Sequence, residues 1–125
     1  MAKNLWGDLS SLNVDRRTPK MVLQEQAQVL AEATKGLLVG FVSESAVGPL
    51  FGYDLKVVVP ALNNYTLTIL RMVHPLEFYP VHVTASRTPV DQTCQNEAEL
   101  EAVIGSVLSS DQVRVDLSRL MSQVA

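Results

Sequence analysis

Residues 37–85 read LLVGFVSESAVGPLFGYDLKVVVPALNNYTLTILRMVHPLEFYPVHVTA, four apolar segments of strand length separated by gaps no longer than a turn. β-Branched and aromatic residues fill the segments, while proline, glycine and asparagine gather between them, as strands and reversals require. The pattern predicts strands over 37–44, 50–59, 65–73 and 81–85, with reversals at 45–49, 60–64 and 74–80. Strands joined so briefly must pair antiparallel, because a parallel neighbour needs a crossover of about a dozen residues or more.

Helical patterns flank this meander. Thr18-Pro19 opens a helix, since a threonine N-cap accepts from the orphan amides and proline at the first helical position loses no needed donor; Gly36 is placed to end it. Val22, Leu23, Ala27, Leu30 and Ala33 form its apolar face, opposite Gln24, Gln28, Glu32 and Lys35. Residues 86–95 read as a polar loop. Asn96 with Glu99 has the spacing of a capping box, followed by the stripe Leu100, Val103, Ile104, Val107 and Leu108. Ser109 or Ser110 then caps a last helix bearing Val113, Leu117, Leu120, Met121 and Val124. At the other end, Leu5, Leu9 and Leu12 recur at helical spacing with Trp6 beside them, a weak helical stripe that must dock somewhere.

The expected architecture is α+β: a four-stranded antiparallel meander with helices on one face, in the order α-β-β-β-β-α-α, preceded by a short helical segment. Residues 1–17 form a docking or interface segment and 18–125 a single domain. With Val59 opposite Tyr65, alternation places Tyr53, Leu55, Val57, Leu67, Ile69 and Arg71 on one face, joined by Val39, Phe41, Val81 and Val83; this is the side for the helices. The open face collects Leu38, Gly40, Val42 and Glu44, then Gly52, Asp54, Lys56 and Val58, then Thr66, Thr68, Leu70 and Met72, with His82 and Thr84 at the edge. Gly40 and Gly52 beside Val42, Leu70 and Met72 would leave a shallow apolar depression bordered by Asp54, Lys56 and His82, and glycine inside a strand often marks close approach of a backbone or ligand.

Composition narrows the function classes. Hydrophobic residues make up 47% and charged residues 18%, so the surface is poor in charge and self-association is expected. The net charge is -3 and basic residues do not cluster beyond Arg16-Arg17, which removes the electrostatic footprint of a nucleic-acid binder. The order helix, three strands, helix resembles that of a double-stranded-RNA-binding domain. The lysine-rich helix start of that family would fall near Asn96, however, where this chain carries Glu97, Glu99 and Glu101. The single cysteine, Cys94, permits no internal disulfide, and no apolar run is long enough to be a secretory leader or to cross a bilayer. A cytoplasmic protein without membrane contact is expected.

Candidate chemistry is sparse. Cys94 would need His74 or His82 as a base, and no spacing places them together. His74, Glu77 and His82 match no established metal-ligand spacing, and nucleotide and acyl-transfer motifs do not occur. Arg71, assigned to the covered face, would need Glu25 or the Tyr53 ring as partner, or else mark an anion site. The reading is therefore a non-enzymatic interaction domain with no cofactor, a homo-oligomer (a dimer) and/or a binder of another protein. Its contact surface would be the stripe Leu5, Trp6 and Leu9 or the open face of Gly40, Gly52, Asp54, Lys56, Leu70, Met72 and His82. The alternative is a ligand-binding or enzymatic domain whose shallow pocket lies on that same face.

Overall fold

Local capping chemistry sets the helix starts. Helix α1 spans Pro19–Ala33, with the Thr18 side chain accepting from the Met21 amide and proline in the first turn. The chain leaves it through Lys35 and Gly36, both at positive φ. Helix α2, Glu97–Leu108, starts at Asn96, whose side chain accepts from the Glu99 amide at 2.9 Å. The return bond runs from the Gln95 amide to Glu99, one residue earlier than in a capping box. Helix α3, Asp111–Val124, follows Ser110, whose hydroxyl accepts from the Val113 amide.

Between α1 and α2 lies an antiparallel meander in the order β1 to β5: β1 Val39–Val47, β2 Leu50–Val59, β3 Tyr65–His74, β4 Val81–Ala85 and β5 Asp91–Cys94. The computed structural model describes residues 2–124; Met1 and Ala125, the outer ends of the two segments expected from sequence, lie outside it. The fold class read from sequence holds, with one addition. The expected loop 86–95 contributes β5, which pairs with β4 through Val81↔Cys94, His82↔Thr93, Val83↔Gln92 and Thr84↔Asp91.

Two features overturn the assignment of residues to faces. The β1–β2 reversal is the two-residue Gly48-Pro49 turn, with Gly48 at φ +60° and Val47 opposite Leu50. This is the hairpin geometry that requires positive φ at its first central residue. Compared with a five-residue loop it changes the parity of β1. Gly40 therefore lies opposite Val57 and Val42 opposite Leu55 on the covered face, while Val39 and Phe41 turn to the open one. In β3 the pairing runs Lys56↔Thr68 and then Leu55↔Leu70, so Ile69 is an extra residue, a β-bulge. Beyond it the alternation inverts. Leu70 and Met72 are fully buried under the helices, and Arg71 turns to the open face.

The core is the covered face of the sheet, Leu55, Val57, Val59, Leu70, Met72, Val81 and Val83, sealed by Val22 and Leu23 of α1, Leu100, Ile104 and Val107 of α2, and Val113 and Leu120 of α3. Gly40 sits where α1 crosses β1 most closely, and a Cβ built there would lie 2.4 Å from the Ala27 Cα. Its role is helix–sheet packing.

One ion pair clamps α3 to the β4–β5 connection. Asp116 of α3, only 6% exposed, accepts from Arg87 Nε at 2.8 Å and Nη2 at 3.1 Å, and from Gln112 Nε2 at 3.0 Å. The Arg87 hydrogen bonds, and then that from Gln112, hold the Asp116 carboxyl below the ordinary aspartate range despite burial. The folded state thus binds this proton less readily than the unfolded chain. Its contribution to stability is complete above the unfolded-state pKa and is lost as pH falls through that value and the lower folded one. Melting temperature measured from about pH 7 down to about pH 2 should fall less steeply for Asp116→Asn than for the wild type on the acid limb; equal slopes would remove this pair from the acid response.

Candidate functional site

The residues singled out in the sequence separate into three places. The N-terminal stripe lies outside the core: Leu5 is 83%, Trp6 82% and Leu9 51% exposed, with Leu12 and Val14 also in solvent. In place of a regular helix the segment forms a single 3-10 turn, Leu9–Ser11, capped by Asp8, with Gly7 at φ +79° before it. A helix this short, with no packed face, lacks the tertiary contacts that hold short helices together. The segment meets the domain at Arg17. That guanidinium pairs with both carboxylate oxygens of Glu25 on α1, with Glu97 at 3.0 Å and with Glu101 at 3.4 Å on α2. Glu25 first and then Glu97 hold Arg17 in its charged form.

The open sheet face carries Asp54, Lys56, His82 and Gly52 as expected, but the residues around them differ. Arg71 lies across from Asp54, at 3.5 Å, and donates to Ser45 Oγ at 3.1 Å. Arg71 thus pairs with neither Glu25 nor the Tyr53 ring and is not a buried anion site. His82 sits between Asp91 at 2.8 Å and Thr93 at 3.1 Å. The expected depression does not form, because Gly40, Leu70 and Met72 lie on the covered side and a Cβ at Gly52 would meet Ser45 Oγ at 2.8 Å. The apolar residues of this face are Val39, Phe41, Val47, Leu50, Val58 and Val73, of which Phe41 is 54% and Val47 40% exposed. Gly48 as first residue of a two-residue reversal is the sequence signal that places Phe41 and Val47 there.

The remaining chemistry is dispersed. Cys94 and His82 occupy adjacent cross-strand pairs, hence opposite faces of the sheet. Burial, and then Glu99, push the Cys94 thiol above its ordinary value, the reverse of an activated nucleophile. His74 is buried between the Phe51 and Tyr53 rings, at centroid distances of 5.5 and 5.6 Å, with Phe78 edge-on. Its Nδ1 lies 2.7 Å from the Pro75 carbonyl oxygen, so Nδ1–H is the donor in that contact. His74 and His82 are thus on different faces, and among the described residues no three His, Cys, Asp or Glu side chains are placed to hold a metal ion. A partly enclosed apolar space lies elsewhere, a cavity of about 200 Å³ between α1 and α3 above Leu55, Val57 and Ile69.

No family model, no curated protein and no solved structure matches this chain. Among the described residues no helix is long and apolar enough to cross a membrane. The geometry itself defines the candidate surfaces: an exposed apolar segment joined to the domain at Arg17, and a sheet with one face free of helices.

Proposed function

We propose that this chain is a small non-enzymatic protein-interaction domain that self-associates as a dimer, and/or binds another protein, through surfaces its own fold leaves uncovered. The observation that carries this reading is the N-terminal segment, in which Leu5, Trp6, Leu9, Leu12 and Val14 are all in solvent while the domain beside them closes a complete core. Single exposed apolar residues are ordinary, but a run of them on one short segment is a contact surface. Burying four such side chains in each of two copies gains on the order of 10 kcal/mol. Association costs about 4–15 kcal/mol, so contact through this surface is weak, on the order of tens of micromolar at best.

Trp6 is the only tryptophan, so its fluorescence reports on this segment alone. Sedimentation should give a species heavier than the monomer at tens of micromolar, roughly the range set by that balance. Trp6 emission should shift to the blue as concentration rises, and Trp6→Ala or Leu9→Asp should weaken any contact the segment makes. A monomer at those concentrations, with Trp6 emission unchanged, would remove the proposal of self-association.

A further inference from the structure

Helices α1 and α3 leave one gap over the sheet. It is the space of about 200 Å³ whose floor is the buried side chains of Leu55, Val57 and Ile69. Leu30, Leu108 and Leu117 rim it and are only half-buried. Protein interiors pack with few voids larger than a water molecule, so room on this scale beside a finished core calls for an occupant. Water fits poorly there. A buried water needs about two to four polar partners, and the lining offers a single polar side chain, Gln26 of α1.

Size and lining together set the class of ligand. A cavity of about 150 Å³ walled by leucine, isoleucine and phenylalanine stays dry and takes up benzene, so this one has room for a bicyclic ring or a branched alkyl group of similar bulk. Nucleotides and the larger cofactors need sites of about 300–1,000 Å³ and are too big. Gln26 marks the polar end, where its carbonyl can accept from an N–H or O–H. The adjoining groove toward α2 shares Gln26 and Leu108 with the cavity and carries Arg17 and Arg114 against Glu25 and Glu101. Those charges balance, so a head group of neither sign is favoured and the ligand is neutral.

We propose that the space between α1 and α3 is a binding site for a small neutral aromatic or branched-alkyl molecule the size of indole. Its apolar body rests on Leu55, Val57 and Ile69, and its single donor faces Gln26. Apolar walls with one placed polar group are the usual form of a small-molecule site. The site goes beyond the self-association proposed above and does not depend on it, because none of its lining belongs to the N-terminal segment or to the open sheet face. Trp6, at 82% exposed, does not occupy it. A molecule bound there touches both helices and the sheet, and so stabilises the fold in proportion to its occupancy.

Indole and indene, nearly equal in shape and differing in the ring N–H, are the probes, used on the full-length protein. Indole should bind with a Kd on the order of 0.1–1 mM and shift the methyl NMR signals of Leu30, Leu55, Val57, Ile69 and Leu117 saturably. In about tenfold excess over Kd it should raise the melting temperature by about 4 °C. Indene should bind about fivefold more weakly, one hydrogen bond being absent, and Gln26→Leu should erase that preference. Ala33→Phe fills the space from the exposed end of α1 and should abolish binding of both probes with far-UV circular dichroism unchanged; if it fails to fold, the methyl signals decide. Absence of saturable shifts at those methyls, or shifts that persist in Ala33→Phe, overturns the site. Equal affinity for the two probes in the wild type overturns the role of Gln26. Nuclear Overhauser contacts from the Trp6 ring to the same methyls in the free protein would make the chain's own segment the occupant and overturn the site as well. Repeating the titration on Trp6→Ala separates this outcome from self-association, since binding there should be unchanged.

Discussion

Leu70→Asp is expected to unfold the protein. Leu70 has no exposed surface, lies opposite Leu55 and Ala85, and belongs to the layer sealed by the helices. A carboxylate there would be surrounded by aliphatic side chains with no cation among them, so the variant loses the transfer energy of leucine, leaves a cavity and strands a charge. Together these cost more than about 4 kcal/mol, against a total stability of about 5–15 kcal/mol for a domain of ordinary size. Circular dichroism and a thermal melt should show an unfolded or barely cooperative chain. Phe41→Asp, on the open face, should keep its fold. A Leu70→Asp protein that melts near the wild-type temperature would return Leu70 to the open face and refute the bulge at Ile69.

Gly40→Val should be nearly as damaging for a different reason. The nearest atoms to a Cβ at this position are the Cα, Cβ and carbonyl oxygen of Ala27, at 2.4, 2.6 and 2.8 Å. Two of the three are backbone, so no rotamer change relieves the overlap, and α1 must lift from β1. Overpacking of this kind costs about 3 kcal/mol or more. Lifting α1 also disturbs the burial of Val22 and Leu23 and the Lys20–Glu44 and Arg17–Glu25 pairs. The urea midpoint should drop accordingly, and Ala27→Gly should rescue it only in part, since the Ala27 Cα remains. Full rescue, or a midpoint equal to that of the wild type, would show that Gly40 is not the crossing point of helix and sheet.

Sequence reading succeeds where the determining chemistry is local. Thr18-Pro19 and Asn96 with Glu99 mark helix starts because the capping side chain and the amide it satisfies lie within a few residues of each other. β2 and β4 have the ends expected of them because turn residues bound them closely. What is not legible depends on partners far along the chain. β5, sequence DQTC, has little strand character of its own and exists because β4 offers it an edge. The N-terminal stripe has helical spacing but nothing to pack on, and so stays irregular.

The candidate site suffers most from this limit, because a face assignment is an alternation count and a single miscounted residue inverts everything after it. Gly40, Leu70 and Met72 change sides in this way, whereas Gly52, Asp54, Lys56 and His82 keep theirs because β2 and β4 carry no irregularity of their own. Arg71 carries the warning within the sequence. A lone charge assigned to an apolar layer is itself a sign of a shifted count in β3, and its partner Asp54 belongs to the opposite face.

The extra residue in β3 divides that strand into two lengths that are read out of phase. Removing Ile69 would bring the two lengths into phase with Leu70 and Met72 still under the helices and Arg71 still on the open face, because Thr68 opposite Lys56 would then be followed directly by Leu70 opposite Leu55; what is lost is the buried Ile69 side chain itself. Ile69 is therefore the position at which β3 can change its count: a single codon lost there costs one core side chain while the rest of the strand keeps its orientation.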